Sequence, residues 1–322
     1  MNPPSEPEAA RQPPSDVPPR PSTLTRGWGR RLRALAPWCV AVLLALALGA
    51  KLLHHRQVAH AMLHPVRTPV QPADFALAQQ ALQGDVRAIS FATADGLLLQ
   101  GWYKPSRTGA VVIFVHGGQG NRLWFLAQAQ ALAERGIGAL LYDSRASGNS
   151  EGDTQTWGDL EQEDLIAALN WVSAQPDADP RRLGAEGFSI GASTVCMVAA
   201  SDPRIKAAVL HSLWSSLRDE LRHKSGSAMS AWLLRLDFWW AGIDLDRVQP
   251  AQVIHQIAPR PLRLVAAEGD HDTPVAVEQA LFDQASHPKA LWRIPGADHM
   301  DYREQGGGDL RQGIAQFFAK AL

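Results

Sequence analysis

The pentapeptide Gly-Phe-Ser-Ile-Gly, centred on Ser189, is followed along the chain by acidic residues and then by His299 in the segment IPGADHMDYR. A serine hydroxyl is a weak nucleophile at its ordinary pKa, so it needs a general base beside it and an acid that orients the base. His299 could take the Ser189 proton and return it to a leaving group. The residue types and their order therefore indicate nucleophilic acyl transfer.

Two aspartates of the segment VAAEGDHDTPV compete for the role of the acid. Asp272 comes just before the Thr-Pro pair that opens the next predicted helix, and we expect it to hold the imidazole tautomer and stabilise the imidazolium. Asp270, two residues earlier, is the alternative. Asp143 also ends a predicted strand, but the order of the elements predicts a structural turn residue there.

Two backbone N–H groups could stabilise the oxyanion that forms when a serine attacks a carbonyl carbon. One is expected from Ile190, the residue after the nucleophile. The other is expected from the glycine-rich segment HGGQGN, in which we predict Gly118 as the donor and Gln119 as the next choice. Because this segment follows a predicted strand, it should lie at the same edge of the sheet as Ser189.

These groups need a scaffold, and the chain from residue 86 onward predicts one. Apolar runs alternate with amphipathic segments, and the run at 110–116 is apolar throughout, as in a strand buried on both faces. A strand, RLGAEGF, leads directly into Ser189, with Gly187 and Gly191 leaving room for a tight turn into a helix. The alternation predicts an α/β fold with a mostly parallel, doubly wound sheet and helices on both faces.

The N-terminal region predicts a membrane anchor. Residues 1–33 are rich in proline and end in arginines, which predicts a disordered cytoplasmic tail, and residues 34–53 are long and apolar enough for a single-pass signal anchor. A cleaved signal peptide and a buried core helix are the alternatives. The positive flank places the remaining chain across the inner membrane, on the periplasmic or extracytoplasmic side. Residues 54–85 are then expected to be a partly helical linker, and residues 86–322 the catalytic domain.

The composition excludes several classes of function. A net charge of -1 gives no reason to expect nucleic acid as a partner, and two cysteines, Cys39 and Cys196, cannot form a disulfide framework. The sequence has no CxxC pair and no histidine cluster with metal-ligand spacing. We therefore expect neither a metal nor an organic cofactor, and a small acyl compound as the substrate.

The stretch from about Ile89 to Leu322 resembles the α/β-hydrolases, and it is similar to bacterial serine hydrolases of the esterase, lipase or serine-aminopeptidase type. The resemblance is carried by FVHGGQGN, YDSRASGNSEG, GFSIGAS, SDPRIKAAVLHSLWSSLRDELRH, IAPRPLRLVAAEGDHDTPV and SHPKALWRIPGADHMDYR. It implies the fold and a Ser-His-Asp triad that cleaves a carboxylic ester or related acyl bond. A peptidase acting on short peptides and a non-catalytic binding module are the alternatives.

The chain also departs from that family's pattern in two places. Many relatives carry Arg-Gly where this chain has Arg145 and Ala146, and commonly Gly-His-Gly where it has Asp298, His299 and Met300. Neither difference replaces a predicted catalytic residue, but the acidic neighbours of His299 could change its basicity.

A tryptophan-rich insertion, about 213–258, lies where the resembled family carries a helical cap over its active site. We expect Trp214, Trp239 and Trp240 either to form an apolar wall that binds the acyl group or to touch a bilayer, where tryptophan favours the interface. Ordinary packing of amphipathic cap helices on the core is the alternative.

Overall fold

The structure is a computed structural model that describes Met1 and residues 24–322, with the side chains of Leu35 and residues 37–322. Most of the predicted disordered tail lies outside these residues, whereas residues 24–33 belong to helix α1 (Leu24–Leu63). The chain divides into two compact units, Met1–Leu53 and His54–Leu322.

The first unit consists, in its described part, of the N-terminal portion of α1. The stretch Pro37–Leu63 contains an 18-residue window with a mean hydropathy of 1.7 and is long and apolar enough to cross a membrane. Its side chains up to Leu53 are exposed to the surroundings, Leu43 and Leu44 by 65% each. This helix is therefore a candidate membrane anchor.

The second unit is built on an eight-stranded sheet in the order β1-β2-β4-β3-β5-β6-β7-β8. Strand β2 is antiparallel to both neighbours and the remaining pairs are parallel. The chain therefore has the predicted α/β-hydrolase type of sheet. The strands are β1 (Arg87–Ala92), β2 (Leu98–Lys104), β3 (Val111–Val115), β4 (Gly138–Tyr142), β5 (Leu183–Phe188), β6 (Ile205–His211), β7 (Leu262–Ala267) and β8 (Lys289–Ile294).

Helices cover both faces of this sheet. Their bounds are α2 (Pro72–Ala81), α3 (Leu126–Ala133), α4 (Glu161–Ser173), α5 (Ile190–Ser201), α6 (Leu217–Ser225), α7 (Ala228–Trp240), α8 (Pro250–Val253), α9 (Val275–Gln284) and α10 (Tyr302–Ala321). One core layer contains apolar residues of α4, α5 and α9, and the other contains those of α2, α3 and α10. Every residue of the central strands β3, β4 and β5 is buried, which explains why their sequences lack an apolar–polar alternation.

The segment 54–85, predicted to be a partly helical linker, packs into the second unit. It contains the end of α1 and all of α2, and Ala78 and Leu82 lie fully buried in the core. Leu63, at the end of α1, joins a separate apolar cluster beneath the cap. The segment therefore contributes to the hydrolase core.

Helices α6 and α7 and the residues up to β7 form the predicted cap. Trp214 and Phe238 from this insertion pack with Trp157 and Ile190 in one apolar cluster. This cluster attaches the cap at the point where the sheet delivers Ser189.

Candidate active site

Ser189 occupies a strained turn between β5 and α5. Its φ of 54° and ψ of -115° lie outside the regions that side chains with a Cβ prefer. A Cβ on Gly187 would lie 2.3 Å from the Gly191 carbonyl oxygen, and a Cβ on Gly191 would lie 2.1 Å from the Val115 oxygen. Both glycines are therefore required for this turn, as the sequence predicted.

Hydrogen bonds on both sides fix the turn. The Ser189 N–H donates to the His211 carbonyl oxygen of β6 at 2.9 Å, and the Ser189 carbonyl oxygen accepts from Ser193 in α5 at 3.1 Å. Ile190 is the first residue of α5, so its N–H has no acceptor within the helix. The strand and the helix thus hold the serine at the carboxyl edge of the sheet.

His299 is oriented by Asp270, which the sequence suggested only as the alternative. The His299 Nδ1 lies 2.7 Å from Asp270 Oδ2. Because an ionised carboxylate only accepts hydrogen bonds, this contact places the proton on Nδ1 and leaves Nε2 as the basic nitrogen. Burial raises the pKa of Asp270, but hydrogen bonds from His299, the Thr273 N–H and Ser212 outweigh it and hold that pKa below its ordinary value.

The prediction that Asp272 pairs with His299 is wrong. The Asp272 side chain is 53% exposed and forms an ion pair with Lys224 of α6 at 3.1 Å. The Asp270 side chain is fully buried. The direction in which the loop leaves β7 decides between them, since it turns Asp270 inward and Asp272 towards the cap.

Two further buried polar residues near Asp270 were missed from the sequence. The Ser212 hydroxyl donates to Asp270 Oδ2 at 2.9 Å, and Ser212 has a φ of 51°. The buried Glu278 of α9 accepts the Leu213 N–H at 3.2 Å, and burial raises its pKa well above the ordinary value. Ser212 could have been found as a polar residue directly after a parallel strand. Glu278 carries no local signal, because only packing brings α9 to this loop.

The glycine-rich loop predicted to supply the oxyanion hole lies against the turn. A Cβ on Gly118 would lie 3.0 Å from Ile190 Cδ1, and Gln119 has a φ of 59°. His116 Nδ1 lies 2.7 Å from the Gly117 carbonyl oxygen, and His116 Nε2 accepts the Ser144 N–H at 3.1 Å. Burial lowers the pKa of His116, so this imidazole is neutral and fixes the loop.

The two departures from the family's pattern have structural explanations. Ala146, where many relatives have glycine, adopts a φ of 56° in the left-handed region that favours glycine. Asp298 Oδ1 accepts the His299 N–H, and Asp301 Oδ1 accepts the Asp298 N–H, each at 2.6 Å. The acidic neighbours of His299 therefore hold its loop through backbone hydrogen bonds. Asp143, as expected, is structural, because it forms a buried ion pair with Arg122 at 2.6 Å.

A cavity of about 800 Å³ brings together the predicted residues Gly118, Ser189, Ile190 and His299. That volume falls within the range of small-molecule sites. Its walls also contain the aromatic rings and apolar side chains of Val58, Ala61, Met62, Leu123, Trp124, Trp157, Phe188 and Met300. The end of α1 thus forms one wall, which the sequence did not suggest.

The charges around this cavity are mostly paired. Lys224 and Arg303 line it, and Asp272 is the one carboxylate among the described residues of its wall. Lys224 bonds to Asp272, and the Arg303 guanidinium lies 3.8 Å from the centre of the Trp124 ring. Among the described residues, no group of three or more histidine, cysteine, aspartate or glutamate side chains is placed to hold a metal ion.

The three cap tryptophans predicted to bind substrate do not line the cavity. Trp214 is buried behind it and stacks on Trp157, with ring centroids 5.9 Å apart. Trp239 and Trp240 are 68% and 71% exposed on the outside of α7. The aromatic wall is supplied instead by Trp157 and Trp124, which lie outside the insertion.

Known proteins resemble this chain over much of its length. Residues 116–279, about half of the chain, match the X-Pro dipeptidyl-peptidase (S15) family. The Escherichia coli (strain K12) protein YfhR, described as uncharacterized, is 30% identical over 247 residues, which cover 73% of this chain and 81% of YfhR. The chain belongs to the S15 family.

Solved structures show the fold of this S15-family chain. The Pyrococcus furiosus esterase Pf2001 superimposes with a TM-score of 0.64 at 21% identity, covering 80% of this chain and 99% of the esterase. The α/β-hydrolase GrgF from Penicillium sp. sh18 gives a TM-score of 0.58 at 22% identity, covering 73% and 98%. These likenesses confirm an α/β-hydrolase fold, and the family identifies the chain as a hydrolase.

Proposed function

We propose that this S15-family chain is a membrane-anchored serine hydrolase that cleaves a carboxylic ester through an acyl-Ser189 intermediate. The observation that carries the proposal is the 2.7 Å contact between His299 and the buried Asp270, at the cavity that Ser189 enters from a strained turn. The catalytic residues are Ser189, His299 and Asp270.

The reaction begins when Ser189 Oγ attacks the carbonyl carbon and His299 Nε2 takes the hydroxyl proton. The electron pair of the carbonyl π bond moves to its oxygen, where the N–H groups of Gly118 and Ile190 stabilise it. Collapse of this intermediate breaks the bond to the alkoxide, which receives the proton from His299. Water then repeats the sequence on the acyl-enzyme and releases a carboxylic acid.

Asp270 contributes through the imidazole. Its carboxylate holds the tautomer that leaves Nε2 unprotonated, and its charge stabilises the imidazolium formed in each step. Ser212 and the Thr273 N–H position the carboxylate, at 2.9 Å and 2.7 Å from its two oxygens.

The peptidase alternative is favoured by the family's description, which names an X-Pro dipeptidyl-peptidase. An enzyme that removes dipeptides from a free amino terminus needs a carboxylate that can receive the ammonium group. The described wall offers Asp272 alone, and Lys224 already neutralises it at 3.1 Å. An uncharged ester is therefore the better fit to the cavity.

Labelling with a fluorophosphonate probe tests the nucleophile. The full-length chain in detergent should be labelled, and Ser189→Ala should lose the label while keeping its far-ultraviolet circular dichroism spectrum. Ser193→Ala, in the same helix turn, is the matched control and should keep the label. A folded wild-type chain that stays unlabelled would contradict the proposal and favour a non-catalytic binding module.

Substrate preference is tested with p-nitrophenyl esters of increasing chain length against Xaa-Pro p-nitroanilides. We expect turnover of the esters, and loss of that turnover in Ser189→Ala. Faster hydrolysis of the anilides would establish the peptidase instead.

Membrane anchoring and orientation belong to the same proposal. We place residues 34–53 across the inner membrane, with the hydrolase unit on the periplasmic or extracytoplasmic side, because arginines precede the apolar run. A periplasmic reporter fused after Leu322 should be active, and a cytoplasmic reporter at the same position should not. The opposite pair of results would reverse the orientation.

A further inference from the structure

We propose that the outside of the cap docks on the phospholipid headgroup layer, so that the site receives amphiphilic esters resident in the membrane. This inference rests on the proposed esterase function and names its substrate class. Five large apolar side chains of α7 make the surface, which we call the tryptophan face: Met229, Trp232, Leu236, Trp239 and Trp240.

The tryptophan face is one side of an amphipathic helix. Spacings of three and four residues place Met229, Trp232, Leu236 and Trp239 on one stripe, where their exposed fractions run from 39% to 68%. Leu234 and Phe238, on the opposite side of α7, are 2% and 0% exposed and attach the helix to the cap. A contiguous apolar patch of this kind marks an interaction surface rather than an ordinary scatter of exposed residues.

The residues of α1 that contact this face indicate a membrane as its partner. His55 lies 3.3 Å from Asp237 of α7, and the Arg56 guanidinium lies 5.6 Å from the centre of the Trp240 ring. These two residues come directly after the apolar run that we place in the bilayer. Tryptophan and arginine are the residues that lie at the boundary between a membrane and water, so these neighbours favour a headgroup layer as the occupant of the tryptophan face.

The charge on the face fits phospholipid. An open groove of about 560 Å³ is lined by Trp232 and Trp239 together with two arginines and two aspartates: Arg218, Arg235, Asp244 and Asp246. Arg218 is paired with Asp246, whereas Arg235 has no ion-pair partner within 4 Å among the described residues. An arginine can bind the phosphodiester of a phospholipid headgroup, and exposed tryptophan rings can contact the acyl chains beneath it.

The same end of α1 also lines the catalytic cavity. At a rise of about 1.5 Å per residue, Val58 and Met62 lie roughly 6 and 12 Å along α1 from His54, the first residue after the apolar run. Both residues line the cavity that contains Ser189. A headgroup layer is about 5–8 Å thick on each side of the hydrocarbon. These distances along α1 are comparable to that thickness, so docking of the tryptophan face would let the cavity take the ester bond of a lipid.

A fluorescent label tests the docking directly. The full-length chain carrying Cys39→Ser and Trp239→Cys, labelled with the environment-sensitive dye NBD, is placed in phosphatidylcholine vesicles that contain nitroxide lipids. Cys196 is fully buried and should stay unlabelled. We expect strong quenching and a blue-shifted emission, and neither at a matched Leu77→Cys label on α2. Equal quenching at both positions, or none at position 239, would overturn the proposal.

Activity tests the consequence for the substrate. We expect Trp232→Ser combined with Trp239→Ser to lower hydrolysis of a long-chain ester in phosphatidylcholine vesicles by about tenfold, equivalent to ~1.4 kcal/mol. Hydrolysis of p-nitrophenyl acetate should change less than about twofold, since both side chains are exposed and outside the cavity. Leu77→Ser is the control and should behave as wild type with both substrates.

The possible failures are distinguishable. If the fluorophosphonate labels wild type but the double variant hydrolyses vesicle esters normally, the docking inference is wrong and the esterase proposal stands. If the probe fails to label a folded chain, the esterase proposal fails, while the quenching experiment still decides the docking. Loss of a cross-linked dimer in the double variant, without lipid quenching at position 239, would assign the face to a second copy and overturn the inference.

Discussion

The carboxyl edge of the sheet and the cap differ in how far their side chains are buried and fixed by hydrogen bonds. At the sheet edge, Ser189, Asp270 and Ser212 are each less than a tenth exposed and are fixed by short hydrogen bonds. In the cap, Asp272's partner Lys224 is partly exposed, and the tryptophan face has no covering element in the described chain. The first region holds its side chains in fixed positions, as a proton transfer would require. The second region exposes side chains that a membrane could contact.

This difference assigns the two regions to different steps. Changes at the sheet edge should lower the rate with every substrate, because they act on the reacting atoms. Changes in the cap should alter which substrate arrives and leave the chemistry intact. Paired substitutions, one in each region, therefore test whether the two regions differ in this way.

The largest expected contrast is between the two aspartates of one loop. Asp270→Asn should lower kcat/KM for p-nitrophenyl acetate by about 10³–10⁴-fold, because the amide favours the wrong imidazole tautomer. Asp272→Asn should change it by less than about threefold, since that carboxylate bonds to Lys224 at the surface. Steady-state kinetics with both variants measures the contrast.

Equal losses in the two variants would show that the loop acts as a unit. A large loss in Asp272→Asn alone would restore Asp272 as the acid.

A smaller contrast is expected between two glycines. Gly191→Ala should destabilise the fold by about 4 kcal/mol or more, because its Cβ would lie 2.1 Å from the backbone oxygen of Val115. Gly226 ends α6 in the cap with a φ of 67°, and its Cβ would meet nothing within 4 Å. Gly226→Ala should therefore cost only about 1–2 kcal/mol, the strain of the left-handed conformation.

Urea unfolding followed by tryptophan fluorescence measures both glycine variants. Comparable stabilities would mean that the turn at Ser189 relaxes, and that its strain is not enforced by packing.

The smallest effects concern pH, and their signs should be opposite. Asp270 has a pKa below its ordinary value, so its ionisation stabilises the fold above that ordinary pKa, and this contribution is lost as the pH falls through the lowered pKa. Burial raises the pKa of Glu220 in the cap by more than the neighbouring Lys224 lowers it. Ionisation of Glu220 therefore destabilises the fold near neutral pH, and this destabilisation disappears in acid, where the carboxyl is protonated.

The pKa of Lys224 is also raised, although burial lowers it, because its ammonium contacts two carboxylates, Glu220 and Asp272.

The free energy of unfolding lost by Asp270→Asn should shrink as the pH falls from 7 to 3. Glu220→Gln should be more stable than wild type at pH 7, with an advantage that vanishes in acid. Urea unfolding across this range checks both trends, and parallel trends would contradict the assignment of opposite shifts.

Much of the sheet edge could be predicted because its signals are local. The run at 110–115 is apolar throughout and contains the buried strand β3. Gly187 and Gly191 predicted the tight turn, since no residue with a Cβ fits at either position. Asp95 and Gly96, a pair typical of hairpin turns, likewise lie between the antiparallel strands β1 and β2. Each feature depends on neighbours within a few residues.

The errors concern positions that distant elements determine. Asp272 was preferred to Asp270 because it precedes a helix, whereas the buried contacts with Ser212 and His299 select Asp270. Trp239 and Trp240 were expected, on composition, either to bind the acyl group or to touch a bilayer, and the rotation of α7 points them outward, away from the cavity. Residues 54–85 were predicted to be a linker. Their contacts are with elements far away in the sequence, so no local pattern showed that they pack into the core.

The amino-acid sequence was enough to predict the α/β fold, the tight turn at Ser189, a serine, an acid and a histidine in that order, and an apolar helix able to cross a membrane. The tertiary structure alone decided which aspartate orients His299, which aromatic rings wall the cavity, and that the end of α1 lies beside Ser189. The reason is that strand patterns and tight turns arise from short-range backbone sterics and apolar periodicity. The direction of a side chain in a loop or cap depends on packing between elements separated by tens of residues.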